Sequence, residues 1–224
     1  MFVETEKKNV TLKRIKDDIP DLLRKARKSA MLIGIFFCPS GSPHVRQQVL
    51  PSFNDLNDNS ENNIHFYLPG WKHVKELDPL DRHIFQDPNC PLLRYDSNLM
   101  CKFKKSLKDE TDGWKPTHTL ELLLMDGTVD QQNKGQLNYG CVMNIQLGTI
   151  MNKLDIHDIN ELFSMIFDFA EGFDGREPTK ALSNKLARKR SSETLFNRLT
   201  KCDLSVIVDV INSITPFATH DYNQ

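Results

Sequence analysis

The chain has 224 residues, of which 39% are hydrophobic and 26% are charged, and its formal net charge is -1. These proportions are ordinary for a globular protein, and the near-neutral charge excludes a whole-molecule attraction to nucleic acid or to an anionic membrane. No apolar run approaches the roughly 18 residues that a membrane-spanning helix needs, and the first residues lack the basic-then-apolar order of a signal peptide. We therefore expect a cytoplasmic protein without a membrane partner.

Cysteine and histidine spacing points to no metal site. The five cysteines include no Cys-x-x-Cys pair, and the seven histidines include no His-x-x-x-His pair. The sequence therefore predicts neither a disulfide framework nor a zinc site, and it identifies no cofactor. Scattered cysteines of this kind are usually small apolar residues of the core.

The first predicted element is a helix that begins near Asp17. Asp17 and Asp18 favour a helix N-terminus, where acidic side chains oppose the macrodipole, and Pro20 suits a first helical turn. Basic residues favour a helix C-terminus, and this helix ends in Arg24, Lys25, Arg27 and Lys28. For the preceding residues we predict a short edge strand at 10–15.

A β-loop-α-β unit follows this helix. Residues 31–37 and 64–68 are short, continuous apolar runs, as expected for strands that are covered on both faces. Apolar residues at helical spacing predict a helix over 45–56. Open α/β sheets place ligands beyond the carboxyl ends of their strands, so we expect a crevice formed by 38–44 and 69–71.

The loop after the first strand is the predicted ligand site. Its candidate binding residues are Ser40, Gly41, Ser42, His44, Arg46 and Trp71. The serines and the glycine offer hydroxyl and backbone N–H groups to an anion at the start of the following helix. Neither the dinucleotide fingerprint nor the P-loop spacing is present, so a plain turn is the alternative. We interpret Cys38 as a buried strand-end thiol rather than as a nucleophile activated by His44.

The middle of the chain carries mixed signals. Prolines punctuate residues 71–116, where we expect irregular structure with short helices. Two strands follow at 119–125 and 139–147, and apolar residues alternate with more polar ones in the second. The connection 126–138 is long for a hairpin and rich in turn-forming residues, so it is either mobile or functional, and we favour mobility.

The C-terminal part is predicted to be helical. A single apolar stripe predicts a core helix at 156–171, with Asp155 as its N-cap and Gly172 as its stop. The apolar run 204–214 suggests a terminal helix, although its β-branched residues also suit a strand.

A basic segment lies between these two predicted helices. Residues 176–201 hold eight basic and two acidic residues, a local net charge of +6. Its candidate contacts with a partner protein or a nucleic acid are Lys185, Arg188, Lys189, Arg190 and Arg198. Few aromatic residues are interleaved with the basic ones, so we favour a protein-binding or solvated helix over a reader of the phosphate backbone.

Together these patterns predict an α/β protein with a small mixed sheet flanked by helices. Residues 1–152 are expected to form the α/β domain and residues 153–224 a helical C-terminal portion packed on it. No complete catalytic or cofactor motif is present, which leaves enzymatic activity open.

The absence of a complete motif and the local segregation of charge lead to three functional hypotheses. The first is a non-catalytic protein-interaction, sensor or regulatory subunit of a cytoplasmic complex, with another protein as its partner. The second is a small nucleotide-binding or nucleotide-processing enzyme that uses the loop 38–46. The third is phosphate-backbone nucleic-acid binding through residues 176–201.

Overall fold

A computed structural model describes residues 10–43, 45–49, 52, 60, 63–73, 84–86, 93–111, 114–116, 119–149, 159–188 and 214–216. These residues form a five-stranded sheet, a three-stranded sheet and several helices. The predicted α/β class with a small mixed sheet is therefore confirmed. None of the described helices is long and apolar enough to cross a membrane.

The larger sheet contains the four strands that the sequence predicts and one more. In spatial order it is β2 (Ile64–Tyr67), β1 (Met31–Phe37), β6 (Glu121–Val129), β7 (Gly135–Ile145) and β8 (Ile214–Pro216). Strand β1 is parallel to β2 and antiparallel to β6, and the other pairs are antiparallel. All residues of β1 and β2 are buried, which is why apolar residues dominate both strands, and His65 is buried among them.

The expectation of irregular structure with short helices over 71–116 is wrong for the part of this range that the structure describes, residues 71–73, 84–86, 93–111 and 114–116. Strands β3 (Trp71–His73), β4 (Ile84–Gln86) and β5 (Leu93–Asp96) form an antiparallel sheet, and α2 (Ser97–Glu110) follows directly. Asp96 ends β5 and caps α2, because its Oδ1 accepts from the backbone N–H groups of Asn98 and Leu99 at 3.0 and 3.1 Å.

Helix α1 spans Leu12–Ala26, so the predicted edge strand at 10–15 is wrong and the helix begins well before Asp17. Thr11 is the N-cap, and its hydroxyl oxygen accepts from the Arg14 backbone N–H at 3.1 Å. The buried stripe of the helix is formed by Ile15, Ile19 and Leu23. Packing of this stripe on the sheet outweighs the cost of a proline inside the helix.

Pro20 has a structural role at the point where α1 meets the β6–β7 hairpin. A proline has no N–H to donate to the carbonyl four residues earlier, which here belongs to Lys16. The backbone of Gly135 lies directly against that carbonyl, and a Cβ at this position would overlap the Lys16 oxygen. It would also lie 3.0 Å from the Cβ of Ile19. The hairpin therefore packs on the helix at a position that only glycine can occupy.

The predicted long connection over 126–138 is also wrong in extent. Strands β6 and β7 continue into it and leave a tight turn at 130–134. Asp130 organises this turn, because its Oδ1 accepts from the backbone N–H groups of Gln132 and Lys134 at 2.8 and 2.9 Å. These hydrogen bonds to the carboxylate, led by the one from Lys134, lower the pKa of Asp130.

Two further helices pack on the sheet. Helix α3 (Ile159–Gly172) confirms the predicted core helix over most of its length, whereas Asp155 and residues 156–158 lie outside the described residues. Its Phe163 ring lies 5.4 Å from the ring of Phe36 and 5.5 Å from that of Phe66. Helix α4 spans Pro178–Arg188.

A buried carboxylate caps α4 from the sheet. Asp126 lies at a register shift of β6, and its Oδ1 accepts from the Thr179 backbone N–H at 2.7 Å. The proline that precedes Thr179 needs no such partner at a first helical position.

The division into residues 1–152 and 153–224 stays a prediction. Of the run 204–214, only Ile214 is described, and it begins β8.

Candidate functional site

The loop at the carboxyl end of β1 is held by bonds within itself. The backbone N–H of Ser42 donates to the carbonyl of Pro39 at 3.0 Å, and the Arg46 Nε donates to the carbonyl of Ser40 at 2.8 Å. Gly41 is exposed, and His44 lies outside the described residues. Residues 45–49 form a π-helical turn, and most of the predicted helix beyond them is not described. Ligand binding at this loop stays a prediction, and its plain-turn alternative accounts for the observed bonds.

Trp71 fills the end of β1 rather than opening a pocket there. Its indole Nε1 donates to the carbonyl of Cys38 at 2.7 Å, and both residues are buried. The Trp71 ring also packs against Tyr95 at 5.3 Å. Burial raises the pKa of the Cys38 thiol well above its usual value, so the thiol stays protonated. The interpretation of Cys38 as a buried strand-end thiol is confirmed.

Charged groups also lie beneath this edge of the sheet. Glu121 at the start of β6 is fully buried and accepts from the Trp114 Nε1 at 3.2 Å. The Lys104 ammonium lies 5.0 Å from the centre of the Phe37 ring. Burial lowers the pKa of Lys104, while the negative charge of Glu121 opposes that shift. Trp114 thus satisfies the buried Glu121 carboxylate, and the half-buried Lys104 lies over a ring of the same aromatic cluster.

The predicted basic contact surface is described only in part. Lys185 and Arg188 lie on α4, where the backbone alone is described, and Lys189, Arg190 and Arg198 lie outside the described residues. Arg176, the first basic residue of that segment, is exposed just before α4. Partner or nucleic-acid contact through this segment stays a prediction.

A cleft of about 670 Å³ lies at the opposite edge of the sheet. Strand β1 is antiparallel to β6, and Met31 pairs with Gly127. The turn between α1 and β1 therefore meets the end of β6 at this edge. The cleft is lined by Pro20, Leu23, Arg24, Arg27, Lys28, Ser29, Ala30, Thr128, Val129, Asn133 and Arg176.

Two of the four cations that line the cleft are already engaged. Arg24 forms an ion pair with Asp21 at 2.7 Å. The Lys28 Nζ donates to the carbonyl of Ala170, near the C-terminus of α3, at 2.6 Å. Burial lowers the pKa of Lys28, and the nearby negative charges of Asp174 and Glu171 oppose this shift.

The other two cations, Arg27 and Arg176, are exposed and form no ion pair with a carboxylate in the part of the chain that the structure describes. Both residues line the same cleft. A guanidinium presents a rigid fork of N–H donors that matches a phosphate or carboxylate group. The pair therefore supplies guanidinium donors that no described carboxylate holds in an ion pair.

Arg27 has a backbone conformation that is unusual for a residue other than glycine. Its φ of 54° and ψ of 39° place it in the left-handed region at the end of α1, where glycine is usual. Among the described residues, Arg27 and Asn133 are the non-glycine residues with positive φ, and both line the cleft. Asparagine tolerates this region, whereas the same conformation costs an arginine about 1 kcal/mol of conformational free energy. The conformation also ends the helix, because the Arg27 backbone N–H donates to the Arg24 carbonyl at 3.3 Å.

Local sequence pattern does not predict this site. Basic residues at 24–28 suit the C-terminus of α1, but the structure places Lys28 at the C-terminus of α3 and Arg27 on the cleft. The available signal was a basic cluster directly before a buried strand. Such a cluster indicates an anion site only when other segments form the remaining walls of a cleft around it. Here β6, the antiparallel partner of β1, and the residues before α4 form those walls.

The described residues include no group of three or more histidine, cysteine or acidic side chains that would hold a metal ion. The described cleft lining likewise consists of cations and neutral side chains. Comparisons with protein-family models, with curated proteins and with solved structures find no match for this chain. Function therefore has to be argued from the geometry of the cleft.

Proposed function

We propose that the chain is a non-catalytic sensor or regulatory module that binds a small phosphorylated ligand in the basic cleft. The observation that carries this proposal is the pair Arg27 and Arg176, two guanidinium groups on one cleft without a carboxylate partner among the described residues. A phosphate group completes the hydrogen bonds of such a pair, and the hydroxyls of Ser29 and Thr128 on the same cleft add donors.

The chemistry of the lining supports binding rather than conversion of the ligand. The described lining contains no histidine, cysteine, aspartate or glutamate, which are the residues that most often act as general bases or nucleophiles. Lys28 is held by its bond to the Ala170 carbonyl.

The position of the cleft supports a regulatory role. Its walls come from α1, the β6–β7 hairpin and the segment that joins α3 to α4. A ligand that contacts all of them stabilises one relative placement of these elements, since binding favours the conformation that it fits. In this proposal a partner protein binds the chain only when these elements have that placement.

The test is calorimetric titration with inorganic phosphate and with phosphorylated metabolites, using the unaltered protein and the variants Arg27→Ala and Arg176→Ala. Each lost charge-assisted interaction is worth about 1.5–3 kcal/mol, so affinity is expected to fall roughly 10-fold to 100-fold in either variant. Arg46→Ala is the matched control, because it removes an exposed arginine at the opposite edge of the sheet.

Unchanged affinity in both cleft variants would overturn the proposal. Loss of binding in Arg46→Ala alone would move the site back to the loop after β1. Binding of oligonucleotides with a steep salt dependence, and of no small ligand, would favour the nucleic-acid hypothesis instead.

A further inference from the structure

The chemistry of the cleft changes along α1. Pro20, Leu23, Arg24 and Arg27 follow helical spacing and line one wall. At 1.5 Å per residue, the seven steps from Pro20 to Arg27 cover about 10 Å. This wall is apolar at the Pro20 end and basic at the Arg27 end.

The opposite wall continues the apolar end. Val129 lies on the cleft with 36% of its surface exposed, and it is the large hydrophobic residue that stands exposed in the described part of the chain. Val129 pairs with Gly135, whose backbone lies against Lys16 and Ile19. This pairing brings Val129 near Ile19, the residue that precedes Pro20 on α1. Asn133, which precedes Gly135 in the same turn and lines the cleft, brings an amide to that end.

The basic end is completed from the C-terminal part of the chain. Lys28 follows Arg27 directly, and its Nζ donates to the carbonyl of Ala170, six residues before Arg176. This contact brings the segment that carries Arg176 to the Arg27 and Lys28 side of the cleft. The lining thus combines cations with an apolar surface and an amide.

We propose that the ligand of this cleft is a nucleoside phosphate, with its phosphate at Arg27 and Arg176 and its base between Pro20 and Val129. The proposal rests on the proposed function and names its ligand class. A planar base offers an apolar face to the two walls and a hydrogen-bonding edge to the Asn133 amide. The cleft volume of about 670 Å³ lies within the range of small-molecule sites.

A sugar phosphate uses only half of this arrangement. Inorganic phosphate and a phosphorylated sugar satisfy the guanidinium groups, but they leave Val129 exposed to water. Covering that side chain and the neighbouring apolar surface adds affinity only for a ligand with a base. The two ends of the cleft therefore make separable contributions.

The experiment is calorimetric titration with inorganic phosphate, ribose 5-phosphate and the 5′-monophosphates of adenosine, guanosine, cytidine and uridine. At least one nucleotide is expected to bind about 10-fold or more tightly than ribose 5-phosphate. Val129→Ser should reduce that advantage while leaving the affinity for ribose 5-phosphate unchanged. Arg27→Ala should weaken both. Gln132→Ser is the control on the same hairpin, since Gln132 is exposed and does not line the cleft.

Failure of this inference is distinguishable from failure of the proposed function. Equal binding of ribose 5-phosphate and all four nucleotides overturns the nucleoside assignment, while the phosphate-sensing function stands. A nucleotide preference that survives Val129→Ser also overturns the assignment of the base to this end. Absence of binding by every phosphate-bearing probe, including inorganic phosphate, overturns both.

Discussion

Acid should destabilise this protein through His65. This histidine lies on β2 with 4% of its surface exposed, and its ring packs edge-on against Tyr67 at 4.8 Å. Burial is the main reason why its pKa falls from 6.5 to about 3, and the positive charges of Lys25 and Arg14 on α1 lower it further. The folded protein therefore keeps His65 neutral well below pH 6.

The size of this destabilisation follows from the different pKa values of His65 in the folded and unfolded protein. As the pH falls below 6.5, the unfolded chain binds a proton at His65 and the folded chain does not, so the free energy of unfolding decreases. Each pH unit corresponds to about 1.4 kcal/mol, which gives a loss of about 2 kcal/mol at pH 5. The stabilisation is fully present above pH 6.5 and is lost progressively down to about pH 3.

Urea denaturation between pH 7.5 and pH 5, compared with His65→Phe, measures this effect. The phenylalanine keeps an aromatic ring beside Tyr67 and does not titrate, so the difference in pH dependence between the two proteins isolates His65. The variant should lose about 2 kcal/mol less than the unaltered protein over this range. Identical slopes in the two proteins would refute the reasoning.

Three further substitutions test other parts of the structure. Gly135→Ala should destabilise the protein by about 2 kcal/mol or more in urea denaturation, because its Cβ overlaps the Lys16 carbonyl, and an unchanged midpoint would contradict the hairpin seating. Arg27→Gly should raise the thermal midpoint by relieving about 1 kcal/mol of left-handed strain while phosphate binding falls, and a lower midpoint would count against the strain argument. Asp126→Ala should cost about 1–3 kcal/mol by uncapping α4, whereas Asp126→Asn should cost less because it keeps an acceptor, so equal losses would exclude the cap.

The predictable part of the fold is the part that depends on local pattern. Apolar residues dominate β1 and β2 because both of their faces are covered, and that property is visible in the residues themselves. The sequence places the start of α1 too late, because a proline is favoured in a first helical turn whereas Pro20 lies inside this helix. The actual signals were the Thr11 cap and the helical spacing of Ile15, Ile19 and Leu23.

The cleft was not predictable in the same way. The predicted loop follows from a general rule about the carboxyl ends of strands in open sheets. The cleft instead requires three distant segments to meet at the opposite edge, and that meeting depends on the antiparallel pairing of β1 with β6 and on the seating of the hairpin on α1. Arg27 carries its distinguishing feature in its backbone conformation, which residue type does not reveal.

The seating of Gly135 on α1 has an evolutionary consequence. A Cβ at this position would overlap the Lys16 carbonyl oxygen and press on Ile19, whatever residue stands at position 20. Any side chain at position 135 therefore separates the hairpin from the helix. Distant relatives that keep this junction should retain glycine there, while position 20 is free to vary.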